Sequence, residues 1–123
     1  MILKNSLPDV KALLAGAGRS GTTVSYRQLH ALFDEVSDSV DVYDTLEAAC
    51  RELADRQDAI YEAVLIKKQT NLPGDGFFDV YQNNRFEEYR QIAGQTSVQD
   101  LSEDLKTEIV LRERKRVYNH ARR

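Results

Sequence analysis

Two β-prone runs stand either side of Leu72-Pro73-Gly74-Asp75-Gly76, and that pairing constrains the fold of this chain more than any other feature. Residues 60 to 68 are apolar at their centre, with β-branched Val64 and Ile66 about Leu65, and residues 77 to 81 are aromatic. Proline and glycine between them supply the fixed and the permissive backbone angles that a reversing loop needs. The expectation is a β-hairpin with this loop at its tip.

Upstream, the apolar spacing is helical. Leu7, Val10, Leu13 and Leu14 repeat at one helix face, with Ser6 as N-cap and Pro8 in the first turn. That helix is expected to stop at Gly16 to Gly18. Thr22-Thr23-Val24 is a short β-prone piece, and Ser25 with Gln28 three residues on forms a capping box for a second helix, striped by Tyr26, Leu29, Leu32 and Phe33. An acidic loop through Asp38 and Asp41 leads to a third helix over about residues 42–57, whose inward face is Leu46, Ala49, Cys50 and Leu53. Downstream of the hairpin, Asn83 or Asn84 caps a short helix through Phe86, Tyr89, Ile92 and Ala93, closed by Gly94. Residues 97 to about 120 read as one long helix with Leu101, Leu105 and Ile109 on one face. Its acids (Asp100, Glu103, Asp104) come first and its bases last, as the helix dipole prefers.

The fold class this order implies is α+β, mostly helical. Its core is a winged helix-turn-helix-like unit, three helices plus a β-hairpin wing, over residues 1–82, and residues 83–123 add two C-terminal helices with a basic end. Val24-Ser25-Tyr26-Arg27-Gln28-Leu29 resembles the lead-in of small winged-helix modules, and the stretch from Val64 to Phe77 resembles their wing. Such modules occur in small bacterial and phage proteins and ahead of HNH-type endonucleases. The layout is also similar to the DNA-binding half of the alkylguanine-DNA alkyltransferases. The resemblance implies a nucleic-acid-associated module and no catalysis, because the Pro-Cys-His-Arg segment of the alkyltransferases and any HNH segment are missing, with His30 and His120 standing alone.

A chain of 123 residues, 41% hydrophobic and 30% charged, has the composition of a globular domain able to build its own core. No apolar run approaches the ~18 residues of a membrane span, and no secretory signal is recognisable at the start. With Cys50 as the only cysteine, neither an internal disulfide nor a cysteine-based metal site can form. The expected location is cytoplasmic. The net charge of −3 conceals a polarised chain. Residues 34 to 62 carry ten acids against Arg51 and Arg56, a net −8, whereas the last twelve residues carry six bases against Glu113, a net +5. Asymmetry of this kind concerns partners more than fold.

None of the chemistry-bearing residues assembles into a catalytic set. Cys50 shares an apolar helix stripe with Leu46 and Leu53 and reads as core filler. Gly16-Ala17-Gly18-Arg19-Ser20-Gly21-Thr22-Thr23 has phosphate-loop glycine spacing and resembles the corresponding loop of sulfotransferases, which implies nucleotide or sulfonucleotide binding. Against it, Thr22 stands where a nucleotide-hydrolase loop has lysine, and the preceding segment is helical rather than a strand. A flexible interhelical connection is the favoured reading. His30 has no partner at ligand spacing, and the many carboxylates single out no acid–base pair. No catalytic residue, metal or cofactor is expected.

Two binding surfaces are. Lys67, Lys68 and Asn71 on the wing, with Arg112, Arg114, Lys115 and Arg116 on the last helix, form a set that can grip phosphates of DNA or RNA weakly and without sequence readout. The helix dipole alone also attracts bases to that end. The third helix presents Asp44, Glu47, Glu52 and Asp55 outward, and carboxylates facing phosphates repel. That face suits a basic protein instead, as in an adaptor or a phage-type inhibitor that imitates nucleic acid. The long C-terminal helix is further expected to allow a homodimer.

Overall fold

The structure is a computed structural model and describes every residue from Met1 to Arg123. Six helices, α1 (Leu7–Ser20), α2 (Tyr26–His30), α3 (Ser39–Leu53), α4 (Asp75–Asn84), α5 (Phe86–Ala93) and α6 (Glu103–Ala121), surround two short strands, β1 (Val24–Ser25) and β2 (Leu65–Ile66). Single 3-10 turns lie at Tyr61–Val64 and Val98–Asp100. The strands run parallel, Val24 opposite Leu65 and Ser25 opposite Ile66. The class is α+β and mostly helical, as expected.

The hairpin is absent, and the two runs that predicted it fail for different reasons. Residues 77–81 lie in α4, where Phe77, Phe78 and Tyr81 are buried and Asp79 is exposed. As a strand, the same residues would put Asp79 on the face of Phe77 and Tyr81, burying a carboxylate. The helix keeps it in water, so the i, i+1, i+4 pattern wins over aromatic β-propensity. Pro73 and Gly74 start this helix rather than turn a hairpin. Gly74 is its N-cap, and its N–H donates to Tyr26 Oη at 2.8 Å. A Cβ on Gly74 would lie 3.2 Å from that oxygen.

Residues 59–65 are buried almost without interruption except for Glu62, so no solvent face exists to give a strand its alternation. The segment threads the core, and its backbone finds partners in side chains of α6. The Ile60 N–H donates to Glu113 Oε2 at 2.9 Å, and Arg114 Nε donates to the Ala63 carbonyl at 2.8 Å. Charged side chains from the middle of α6 thus take the place of a neighbouring strand.

Helix α1 passes through Gly16 and Gly18 and stops only at Gly21, whose φ of +68° turns the chain back so that the Thr22 N–H donates to the Ala17 carbonyl at 3.0 Å. Residues 16–20 are therefore helix, so the flexible connection favoured for Gly16 to Thr23 shrinks to residues 21–23, and the phosphate-loop geometry that the glycine spacing resembles does not form. Gly18 serves packing: it lies against Tyr61, Val117 and Ala121 where α6 comes closest.

Elsewhere most local signals hold with shifted bounds: α3 spans 39–53 rather than 42–57 and takes in Asp41, α2 ends at His30 before Leu32 and Phe33, and Ser6 precedes α1 without a side-chain cap bond. Ser25 and Gln28 form the capping box of α2. Asp38 caps α3, whose inward face includes Val42, Thr45, Leu46, Ala49 and Cys50. Gly94 ends α5, although Arg85 rather than an asparagine stands at its start. Ser102 caps α6 through the Leu105 N–H, so the helix begins at Glu103, six residues later than expected. The division expected after residue 82 falls within α4, and one apolar cluster runs from Val10 and Leu14 through Val64 and Tyr81 to Ile109 and Val117.

Candidate interaction surface

Half of the expected phosphate-binding set on α6 is spent inside the fold. Arg114 reaches two backbone carbonyls, of Ala63 and, at 3.1 Å, of Asn71. Arg116 forks onto Glu88 at 2.5 and 2.8 Å and also donates to Glu113 at 3.1 Å. That guanidinium, with the Tyr81 phenol also donating, holds the Glu88 carboxyl down to about 2. Glu113 itself has no exposure and accepts from Arg85 as well as from Ile60. Arg112 and Lys115 remain exposed without an ion pair, and so do Lys67 and Lys68 beside exposed Asn71. Asn71 has a φ of +59°, a left-handed angle that asparagine tolerates, and Arg114 fastens its loop to α6.

The acids of α3 are solvated and only loosely paired. Glu47 accepts from Arg51 at 3.2 Å and Glu52 from Lys11 at 3.2 Å, while Asp44 lies 2.5 Å from the Met1 amine. Asp55 accepts from the Gln57 N–H just past the helix. Exposed pairs of this kind contribute about 0–1 kcal/mol each, so they order the face without neutralising its field.

Among these acids the structure exposes apolar side chains that sequence reasoning did not single out. Val36 is 94% exposed, Val40 63% and Tyr43 47%. Val40, Tyr43 and Glu47 follow one another at three- and four-residue spacing along α3, so they form a ridge. The signal was present, since these positions fall off the buried stripe of Val42, Leu46 and Ala49, but a lone exposed valine carries no message by itself.

The ridge ends at a groove of about 550 Å³ between α3, β2 and the start of α4. Leu46, Leu65, Phe77 and Val80 supply its apolar lining, Tyr26 and Tyr43 its aromatic edge, and Glu47 and Lys67 its charges. One wall is the ion pair of Arg56 with Glu62 at 3.0 Å, both side chains largely buried. Arg56 Nε and Glu62 Oε1 have no hydrogen-bond partner. Cys50 lies nearby, buried, and burial together with the Glu62 carboxylate pushes its thiol well above the ordinary range.

No three His, Cys, Asp or Glu side chains gather closely enough to hold a metal ion, and no helix is long and apolar enough to cross a membrane. No protein-family model, curated protein or solved structure matches the chain.

Proposed function

We propose that this chain is a non-catalytic protein-binding module whose working surface is the outward face of α3. The observation that carries this reading is the pair Val40 and Tyr43 on the α3 ridge, exposed within the most acidic stretch of the sequence. Apolar side chains held in water beside a groove mark an interaction site, and surrounding carboxylates select a basic partner and speed its approach. An adaptor or an inhibitor that occupies a partner's basic channel would present such a face.

A second reading keeps one observation in its favour. Lys67, Lys68, Arg112 and Lys115 are free, so weak binding to phosphates of DNA or RNA remains a role for the loop and α6. Arg114 and Arg116 are committed to internal bonds, which leaves only Arg112 and Lys115 of the α6 set free to reach a phosphate.

One variant separates the two. Glu47→Lys combined with Glu52→Lys removes only exposed pairs, so the protein folds as before. A protein-binding module then loses partner capture in pull-downs while its affinity for a duplex or single-stranded probe changes little. Tighter binding to the nucleic acid with undiminished capture overturns the protein reading in favour of the second.

A further inference from the structure

We infer that the groove between α3 and α4 is an anchor pocket for one or two turns of a cationic amphipathic helix supplied by a protein partner. The inference rests on the protein-binding reading and names what that surface takes. Its volume of about 550 Å³ lies within the range of roughly 300–1,000 Å³ in which pockets enclose their ligands. The lining decides what enters. Leu46, Leu65, Phe77 and Val80 offer apolar contact, whereas the charged wall, Arg56 with Glu62, already neutralises itself. A charge brought against the buried Arg56–Glu62 wall would lose water beside a pair that already balances itself, and the exposed Glu47 and Lys67 are of opposite sign, whereas an apolar side chain meets Leu46, Leu65, Phe77 and Val80 without that cost. Large apolar anchors are therefore preferred in the pocket.

What surrounds the mouth decides the rest of the segment. Tyr43 and Glu47 belong to both ridge and groove, so a helix whose anchors enter the groove lays its flank along Val40 and the α3 acids. Charge complementarity then asks for Lys or Arg beside the anchors. Lys67 borders the groove on the β2 side, where the carbonyl end of the incoming helix would be favoured over its amino end. Apolar anchors one turn apart with flanking bases are the pattern of helix-in-groove recognition.

The probe that tests this is a fluorescein-labelled peptide of about 14 residues, long enough to hold a helix on docking, with leucines on one face and lysines on the other. Two companions accompany it, one with every leucine changed to alanine and one with every lysine changed to glutamate. Titrations followed by anisotropy are expected to show saturable binding of the Leu/Lys peptide only. Tyr43→Ala and, independently, Val80→Ser should each weaken it about tenfold, the loss of a single interface anchor. Tyr43 is half exposed and Val80 partly so, and unfolding curves check that both variants stay folded. Glu47→Lys with Glu52→Lys should weaken it at least as much and make it insensitive to salt. If the charge variant weakens binding while Tyr43→Ala and Val80→Ser do not, the pocket is refuted and the acidic face stands. If none of the three matters, both fall. Equal binding of the glutamate peptide overturns the assignment of a cationic partner.

Discussion

Gly18 and Ala121 meet where α1 and α6 cross: a Cβ on Gly18 would lie 2.8 Å from the Ala121 Cβ. Inside a helix, alanine is ordinarily better than glycine by about 1 kcal/mol. Here that gain is outweighed, because the helices must part or tilt to admit the methyl group. Gly18→Ala should destabilise the protein by about 1–3 kcal/mol in urea unfolding, the cost of overpacking. Gly16→Ala, with nothing within 4 Å of the added carbon, should stabilise it by roughly 0.5–1 kcal/mol. Ala121→Gly in the Gly18→Ala background should restore part of the loss, since the two sites are coupled through one contact. Additive effects would mean that α6 does not press on α1 at this point.

Glu113→Ala is expected to be the most damaging single change in the charged network. It strips Arg85 of its carboxylate and leaves the Ile60 N–H unpaired in the core. Removing one partner of a buried pair costs about 3–5 kcal/mol. Arg112→Ala, at an exposed neighbour on the same helix with no ion pair, should change stability by less than about 0.5 kcal/mol. Chemical denaturation of the two variants side by side measures the contrast.

Acid should weaken the fold through Glu88. Its carboxyl is held at about 2, against an ordinary 4.5, chiefly by Arg116. A carboxyl lowered on folding contributes its full stability above the unfolded value and loses it as pH falls toward the folded one. Stability should therefore drop between about pH 5 and pH 2, by on the order of 2–3 kcal/mol from this residue. Glu88→Gln, less stable at neutral pH, should show a correspondingly flatter profile over that interval when unfolding free energies are measured against pH. An identical slope in the variant would assign the acid sensitivity to other carboxyls.

Cys50 should be silent. It is buried on the inward face of α3 with its thiol pushed up, so native-state labelling should be slow and limited by opening of the structure. Cys50→Ser should cost about 1–3 kcal/mol, the penalty for a buried hydroxyl without a good acceptor. Rapid labelling in the absence of denaturant would place the sulfur at the surface.

What the sequence made legible was local. The Ser25–Gln28 box, the stripe of α3, the burial of Cys50 and the stop at Gly94 each depend on residues within a turn or two of one another. What it concealed was set by distant partners. Pro73-Gly74 is an equally good signal for a turn tip and for a helix start, and only Asp79, read as a residue that must stay in water, tells them apart. Glu113, Arg114 and Arg116 look like a solvated charged end, because nothing near them announces that a buried backbone segment some fifty residues earlier needs their hydrogen bonds. The surface was half legible. The acids stood out by number, while Val40 and Tyr43 emerged only once the buried stripe had claimed their neighbours.

The dependence of residues 60–63 on α6 also sets an order of events during synthesis. Until residues 113 and 114 have left the ribosome, the Ile60 amide and the Ala63 carbonyl have only water to bond, and a segment that bonds water cannot close into the interior. Residues 60–63 are therefore compelled to wait for α6. Nascent chains halted before residue 113 should stay open to protease at residues 59–66, while those extended past α6 should lock in a single step.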